Sequence, residues 1–275
     1  MINRPPSSAL RAESWGRGLL ICLLLTVACL NAAQLQETRV TQVVKDVKLG
    51  PPQAPPRRAA VGESVRDGDA ISTGAAGRSE LTFANQTIAR LGAKTIVGFS
   101  DGMRTMDLVE GAVLFQIPKG AREAKIKTAA IATASTGATG IIERHGQFYI
   151  KVLVLEGTVR CYLTNRVGES LLAHPGQILI TKPDVTALPD PADFNIARVM
   201  KTCLLVRDFP PLLSQRLIES EEQKQSELIA KGTYIPSNLV IFGRGTLVNL
   251  VNPTPAPLQK PQTNTGHYFT HPNFN

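Results

Sequence analysis

Short strand-like segments separated by turn-forming residues fill the middle of this sequence, and no other feature restricts the fold as strongly. From Ala60 to Thr181 the segments are roughly four to seven residues long, and Asp-Gly, Asn-Gln and Pro-Gly pairs separate them. Phe148–Leu155 is the most β-prone run, and after it apolar Val159, Cys161 and Leu163 alternate with polar residues. Such alternation is typical of a strand with one buried and one solvent-facing side. The spacing therefore predicts an all-β body, arranged as a sandwich, a barrel or a short solenoid.

A six-residue pattern occurs twice in this region. Leu108–Val113 (LVEGAV) resembles Val154–Val159 (VLEGTV), which lies 46 residues further along, and each copy contains a Glu-Gly pair that we interpret as a turn. A solenoid built from sequence repeats normally needs roughly three or more copies. Two copies instead predict similar β-hairpins stacked within one twisted, solenoid-like sheet system.

The sequence changes character after Leu188. Asp190-Pro191 is typical of a helix start, and apolar residues then recur at helical spacing through Leu204. A second helix is predicted over Pro211 to Lys231, capped by Gly232 and largely solvated because its middle is polar on all sides. The chain thus divides into a signal peptide (1–33), an initial strand with a proline-rich linker (34–59), a β domain (60–189), a helical C-terminal region that can include a hairpin (190–251) and a disordered proline-rich tail (252–275).

The first 33 residues carry the features of an export signal. Three arginines precede a 12-residue apolar stretch, Leu19–Leu30, and Asn31-Ala32-Ala33 supplies small residues for cleavage after Ala33. The stretch is shorter than the roughly 20 apolar residues that span a membrane. We therefore expect a periplasmic or secreted protein. Association with the membrane is expected only if the signal is uncleaved or Cys29 is lipidated.

Cleavage at that point leaves a moderately basic chain. It removes three arginines and Glu13, so the 30 basic and 22 acidic side chains become 27 and 21, a net charge of +6. An exported protein does not meet nucleic acid, so a basic surface indicates an anionic polysaccharide or an envelope protein as the partner. The densest basic group is the candidate partner-binding site, with an ordinary solvated hairpin surface as the alternative: Lys119, Arg122, Lys125 and Lys127.

Residues that could carry catalysis or bind a metal are few and poorly placed. The sequence has no G-x-S-x-G, phosphate-loop, dinucleotide-binding or C-x-x-C motif. Glu110 and Glu156 could act as paired glycosidase carboxylates, but each is followed by glycine in a structural turn. His145 and His174 lie in predicted turns, where a solvated histidine is expected. The sequence predicts a protein that is not an enzyme and has no metal or cofactor.

Two cysteines, Cys161 and Cys203, follow the signal segment. In an oxidising compartment they could form a disulfide that closes a loop of about 40 residues. Both also lie in apolar patterns and could be small buried hydrophobic residues. The sequence favours neither alternative.

Eight short motifs in the β region, taken in order, resemble the FecR domain family, which is named for the periplasmic regulator of ferric citrate uptake. The resemblance covers about residues 60–182 and rests on Gly68-Asp69-x-Ile71-x-Thr73-Gly74, Leu81-x-Phe83, Thr87-x-x-Arg90-Leu91-Gly92, Leu108-x-x-Gly111, Pro118-Lys119-Gly120, Ile126-x-Thr128, Gly137-Ala138-Thr139 and Leu155-Glu156-Gly157-x-Val159. It implies an all-β domain that binds other proteins and is not an enzyme. The family's regulators differ in two ways: they place a longer anti-sigma segment and a full membrane helix before the domain, and they usually show Gly-Thr where Ala138 intervenes here.

These observations lead to one main hypothesis and several alternatives. The main hypothesis is an exported, non-catalytic FecR-domain protein that acts as a protein-binding, sensing or signalling module of the cell envelope and recruits partners at exposed edge strands. The first alternative is a structural protein that binds polysaccharide or cell wall, expected if basic residues cluster on one face beside exposed aromatic side chains. Less favoured are a membrane-anchored regulator of sigma-factor signalling and an enzyme with a site that the sequence does not reveal.

Overall fold

The computed structural model describes residues 38–166 and 168–236, together with the backbone of residues 241–242 and 249–250. Within these residues most regular structure is β-strand, and helices follow near the C-terminal end. The prediction of an all-β body with a C-terminal helical part is confirmed. The predicted signal peptide (1–33), Cys29 and the predicted tail 252–275 lie outside the described residues.

Two sheets face each other, and the chain moves repeatedly between them. The strands are β1 (Thr38–Val44), β2 (Val47–Gly50), β3 (Arg57–Arg58), β4 (Ser64–Val65), β5 (Ala70–Thr73), β6 (Arg78–Phe83), β7 (Ile88–Leu91), β8 (Ile96–Ser100), β9 (Thr105–Ile117), β10 (Ala124–Lys127), β11 (Ile131–Ser135), β12 (Ala138–His145), β13 (Tyr149–Gly157), β14 (Val159–Leu163), β15 (Ser170–Ala173), β16 (Gln177–Thr181) and β17 (Ala192–Asp193).

Each sheet grows almost in chain order. Sheet A has the order β4-β1-β6-β7-β9-β12-β13-β16-β17. Sheet B has the order β3-β2-β5-β8-β9-β10-β11-β14-β15. Neighbouring strands are antiparallel except for β10, which runs parallel to β9. Neither sheet closes into a barrel within the described residues, and the solenoid-like character of the stack stays a prediction.

Strand β9 belongs to both sheets. Its first half pairs with β8 and β10 in sheet B, and its second half pairs with β7 and β12 in sheet A. The crossing lies at Gly111, whose φ is 91° and where an added Cβ would lie 2.5 Å from the Cα of Thr95. Glycine is needed there because both the backbone conformation and the close approach exclude a side chain. The predicted turn at Glu110-Gly111 is therefore wrong, because the chain bends here without reversing.

The second Glu-Gly pair marks another crossing. Strand β13 ends at Gly157 in sheet A, and β14 begins at Val159 in sheet B. Gly157 has a φ of 74°, again in the left-handed region. This crossing runs from sheet A to sheet B, opposite to the direction in β9. The two copies of the sequence pattern thus occupy related positions without being a repeated hairpin.

The central strands of sheet A are buried on both faces. In its part of β9, Val113 and Phe115 point into the core between the two sheets, whereas Ala112 and Leu114 belong to a second core. The second core is completed by three helices, α1 (Ile196–Thr202), α2 (Leu204–Arg207) and α3 (Gln215–Ala230). The molecule is therefore layered, with helices on the outer face of sheet A and solvent on the outer face of sheet B.

The first helix begins later than the sequence predicted. Ala192 and Asp193 form β17, which extends sheet A beside β16, so Asp190-Pro191 does not start a helix. The helix starts after Asn195, whose side chain accepts a hydrogen bond from the backbone N–H of Arg198 at 2.9 Å. Asn195 therefore caps the helix, five residues after the start predicted at Asp190.

The long C-terminal helix agrees with the prediction to within a few residues. α3 spans Gln215–Ala230, and Gly232 follows it with a φ of 70° and donates to the carbonyl of Ile229. Most of α3 faces solvent, but Ile218 and Gln225 are buried against sheet A. Two short segments further on, β18 (Ile241–Phe242) and β19 (Asn249–Leu250), pair as antiparallel strands. Among the helices of the described residues, none combines the length and apolarity needed to cross a membrane.

Candidate functional site

The four predicted partner-binding residues divide between two places. Lys125 and Lys127 lie on β10, and Ile126 between them is buried in the core between the sheets. Because alternate residues of a strand point to opposite faces, both lysines lie on the outer face of sheet B. Lys119 and Arg122 are exposed in the connection between β9 and β10.

Strand pairing adds two further residues to the face that carries the lysines. Lys127 pairs with Ala132 of β11, which pairs with Tyr162 of β14. In the adjacent row Lys125 pairs with Ala134, which pairs with Arg160. We name these six residues the basic face: Lys125, Lys127, Ala132, Ala134, Arg160 and Tyr162. The alternating pattern of β14 predicts a solvent-facing side for Arg160 and Tyr162, but it does not indicate that they lie near β10.

The basic face has small side chains on β11, in its middle, and long side chains on β10 and β14, at its two sides. Ala132 and Ala134 are only 1% and 7% exposed, although they belong to the solvent side of sheet B. The longer side chains on β10 and β14 therefore form two walls that flank β11 and cover both alanines. Neighbouring strands lie about 4.8 Å apart, so the two walls are separated by roughly 10 Å between backbones.

Two carboxylates lie next to the basic face. Glu123 forms an exposed ion pair of 3.5 Å with Lys125. Asp107 of β9 pairs in register with Lys127, and its carboxylate accepts a hydrogen bond of 2.7 Å from the hydroxyl of Ser100. Three cations and two acids make this surface only moderately basic.

A cleft of about 550 Å³ lies next to the basic face, where the connection after β9 approaches α3. It is lined by Lys119, Gly137, Glu156, Pro175, Leu217 and Glu221, among others. The hydroxyl of Thr139 donates to the Glu156 carboxylate at 2.9 Å. Burial raises the pKa of Glu156, while that hydrogen bond and the charge of Lys119 act in the opposite direction.

Glu110 and Glu156 do not form a carboxylate pair. Glu110 precedes the crossing in β9 and accepts hydrogen bonds from the backbone N–H of Gly146 at 2.9 and 3.2 Å. Glu156 pairs with Thr139, which pairs with Gln116, six residues further along β9. At about 3.3 Å per residue the two acids are roughly 20 Å apart, well beyond the roughly 5–10 Å of glycosidase pairs.

A buried ion pair connects two strands beneath the helices. Glu143 of β12 contacts the ammonium of Lys151 of β13, and both side chains are fully buried. The hydroxyl of Tyr149 donates to Glu143 at 2.9 Å. Burial raises the pKa of Glu143 and lowers that of Lys151, and the contact between them opposes both shifts. A group so enclosed stabilises one packing arrangement and is out of reach of a substrate.

Arg90 holds the helical layer on sheet A. Its Nε donates to Glu80 at 2.8 Å, and its terminal nitrogens donate to the backbone carbonyls of Leu205 at 3.1 Å and Pro210 at 2.6 Å. The guanidinium also lies 5.0 Å from the centre of the Phe209 ring. Arg90 belongs to one of the FecR-like motifs, but the sequence alone did not indicate that it binds the protein's own C-terminal helices.

A second polar contact holds the beginning of α3. The hydroxyls of Thr139 and Ser214 lie 2.7 Å apart, and the backbone N–H of Ser214 donates to Gln116 at 3.3 Å. Arg78 adds an ion pair of 3.1 Å with Asp208. The helices therefore dock on sheet A through an apolar core bordered by specific polar contacts.

The described histidines and cysteines form neither a metal site nor a disulfide. His145 stacks with Phe148 and Tyr149 at ring distances of 5.6 and 5.5 Å, and no group of three His, Cys, Asp or Glu side chains there is placed to hold a metal. Cys161 and Cys203 are buried free thiols. They belong to the two different cores, with sheet A between them, so the disulfide alternative is wrong.

Strand β15 is the longest of the terminal strands at the four sheet edges. It pairs with β14, whereas β3, β4 and β17 at the other edges have two residues each. The backbone N–H of Thr164 donates to Ala130 in the ladder between β14 and β11. Because hydrogen-bonding direction alternates along a strand, the register then directs the backbone groups of Ser170 and Leu172 away from β14. They point toward an edge that no other described strand covers, which we call the free edge of β15.

Comparison with known proteins gives a family for the middle of the chain. Residues 69–160 match the family model described as FecR protein, which confirms the predicted resemblance over that part. Two crystal structures from Parabacteroides distasonis ATCC 8503, described as a "putative anti-sigma factor", are similar to 48% of this chain, with 15% and 14% sequence identity and a TM-score of 0.42 each. The similar region spans 62% of the chain in those structures. No curated protein sequence matches this chain significantly.

Proposed function

We propose that this chain, with its FecR-type segment at residues 69–160, is an exported, non-catalytic module of the cell envelope that senses or signals by binding another protein. The family match supports a regulatory binding role rather than an enzymatic one. The apolar stretch and small residues near the N-terminus support export. A periplasmic or secreted location follows from this proposal.

The free edge of β15 carries the proposal. Ser170 and Leu172 direct their backbone groups outward, and the Leu172 side chain is 48% exposed. An extended segment of a partner protein can pair with such an edge and gain backbone hydrogen bonds together with one apolar contact. A strand of four residues is short enough to limit self-association and long enough to hold a partner strand.

The arrangement of ionisable side chains supports a non-catalytic role. Glu143 and Lys151 are enclosed and form an ion pair with each other. Glu110 and Glu156 are too far apart to act as a pair, because six residues of β9 separate Glu110 from the position level with Glu156. The carboxylate of Glu156 faces a cleft, but its nearest polar partner is the structural hydroxyl of Thr139.

The experiment uses the mature chain as bait in an envelope extract of its native host. Leu172→Pro removes an outward N–H without removing a hydrogen bond of the sheet, because proline is tolerated at an edge in this orientation. Leu172→Thr is the matched control, since it shortens the same side chain and keeps the N–H. We expect the wild type and Leu172→Thr to recover the same protein and Leu172→Pro to lose it. Equal recovery by both variants would refute strand addition at β15.

A further inference from the structure

We propose that the basic face of sheet B binds an anionic polysaccharide whose sugars carry carboxylates, such as a polyuronate. This site lies on the face of sheet B beside the β15 edge, where Arg160 and Tyr162 pair with Leu172 and Ser170. The proposal does not depend on strand addition at that edge. It rests on the register of three strands, β10, β11 and β14, which brings Lys125, Lys127, Arg160 and Tyr162 together around two small residues.

The shape of the basic face suits a single extended chain. Ala132 and Ala134 on β11 are covered by their neighbours, so a ligand meets the long side chains on β10 and β14, whose backbones are roughly 10 Å apart. Residues two apart on one strand are separated by roughly 7 Å, so each wall presents two groups at that spacing. A polymer that lies along β11 can therefore reach a cation on either side.

The chemistry of the basic face favours a sugar polymer over a peptide. The backbone groups of β11 are used in its ladders with β10 and β14, so the face offers a peptide no strand pairing. What it offers are side-chain donors, because Lys125, Lys127 and Arg160 can only donate hydrogen bonds. A ligand rich in carboxylates and hydroxyls supplies the acceptors, and the half-buried ring of Tyr162 offers an apolar surface to a sugar ring.

Neighbouring groups limit the strength of binding at any one sugar. Glu123 already contacts Lys125, but at 3.5 Å with both side chains about half exposed, so a ligand carboxylate can replace it at little cost. Arg160 donates to the hydroxyl of Ser170 at 3.1 Å and keeps further donors for a ligand. We therefore expect weak contacts that add up along a polymer and weaken with salt.

The test measures binding of the mature protein to immobilised polygalacturonate at neutral pH and low salt. Dextran is the neutral polymer control, and poly-glutamate is the acidic peptide control. We expect binding to polygalacturonate that falls at least about tenfold in the double variant Lys127→Gln/Arg160→Gln. Lys48→Gln is the matched control, because Lys48 is an exposed cation on β2 in sheet B, several strands away from the basic face, and should leave the affinity unchanged.

Two further variants test the role of the tyrosine ring. Tyr162→Phe should keep the affinity, and Tyr162→Ala should lower it about fivefold or more, since stacking on an aromatic ring contributes on the order of one kcal/mol or more in related cases. Thermal unfolding of each variant checks that the fold is kept. The proposal would be overturned if the wild type did not bind polygalacturonate, or if Lys48→Gln lost as much affinity as the double variant. It would also be overturned if poly-glutamate bound as strongly as polygalacturonate and Tyr162→Ala left that binding unchanged.

Discussion

Replacing Arg90 by methionine should release the C-terminal helices from sheet A while the two sheets stay folded. Arg90 is 1% exposed on β7, and its two carbonyl partners lie in α2 and in the loop that follows it. Methionine keeps much of the length of the side chain and loses the charge and all three hydrogen bonds. The perturbation therefore falls on the interface between sheet A and the helices, outside the core between the sheets.

The size of the effect follows from what the substitution leaves behind. Glu80 is 7% exposed and would keep only the hydroxyl of Thr41, at 2.9 Å, as a side-chain partner. Breaking a buried ion pair by removing one partner typically costs about 3–5 kcal/mol. The two carbonyls that lose their donor belong to a segment that can move into solvent. They therefore add little to the free-energy cost of the substitution once the helices detach, because water can then donate to them. We expect a loss of about 3–5 kcal/mol in the free energy of docking the helices.

Hydrogen exchange followed by mass spectrometry measures this prediction locally. Amides in residues 196–230 should exchange much faster in Arg90→Met, whereas those in β9, β12 and β13 should stay protected. Glu80→Gln combined with Arg90→Met should recover part of the loss, because no buried charge is then left unpaired. Arg104→Met, which removes an exposed ion pair with Asp101, is the control and should change stability by less than about 1 kcal/mol. Equal loss of protection in sheets and helices, or no loss at all, would refute this account of Arg90.

Three other predictions concern ionisable and thiol groups. Lys151→Met should destabilise the protein by about 3–5 kcal/mol at neutral pH because Glu143 stays buried without its partner. Urea unfolding should show a smaller loss of stability at pH 5 than at pH 7, because protonation of Glu143 is favoured at the lower pH. An equal loss at both pH values would contradict this. Burial raises the pKa of Glu156 above 4.5, so the wild type should lose stability as the pH rises from 4.5 through the raised value. Glu156→Gln should remove that loss and raise Tm at pH 7. An unchanged dependence of Tm on pH in this variant would contradict the prediction. Burial raises the pKa of Cys161 to about 12 and that of Cys203 to about 11. Both thiols should therefore resist a maleimide reagent in the folded protein and react with it in denaturant. A disulfide between them, detected by mass spectrometry, would contradict the structure.

The sequence predicted the class of the fold because its signals are local. Turn pairs such as Asp67-Gly68 and Pro175-Gly176 do separate strands, with Gly68 and Gly176 in the left-handed region. The alternation over Val159–Leu163 correctly placed Cys161 in the core and Arg160 at the surface. Period-two patterns report the burial of each residue, and burial does not depend on which strands become neighbours.

Contacts between residues that are far apart in the chain could not be predicted from the sequence. Glu110-Gly111 was interpreted as a turn because a glycine with positive φ serves a reversal and a crossing between sheets equally well. The partners of Arg90 lie more than a hundred residues away, and nothing near Arg90 in the sequence indicates backbone carbonyls as its acceptors. Arg160 joins Lys125 only through the intervening strand β11, so strand order had to be known before the basic face could be recognised.

Cross-linking from the edge of β15 in living cells tests the proposed function most directly. A photoreactive amino acid at Ser170 lies on the free edge, and the same label at Lys48 reports an exposed position of sheet B several strands away. If the protein works by recruiting a partner strand, the label at Ser170 should yield one discrete protein adduct, which mass spectrometry can identify. The label at Lys48 should not give this adduct, and Leu172→Pro should abolish it. No adduct from Ser170, or the same adducts from both positions, would contradict the account.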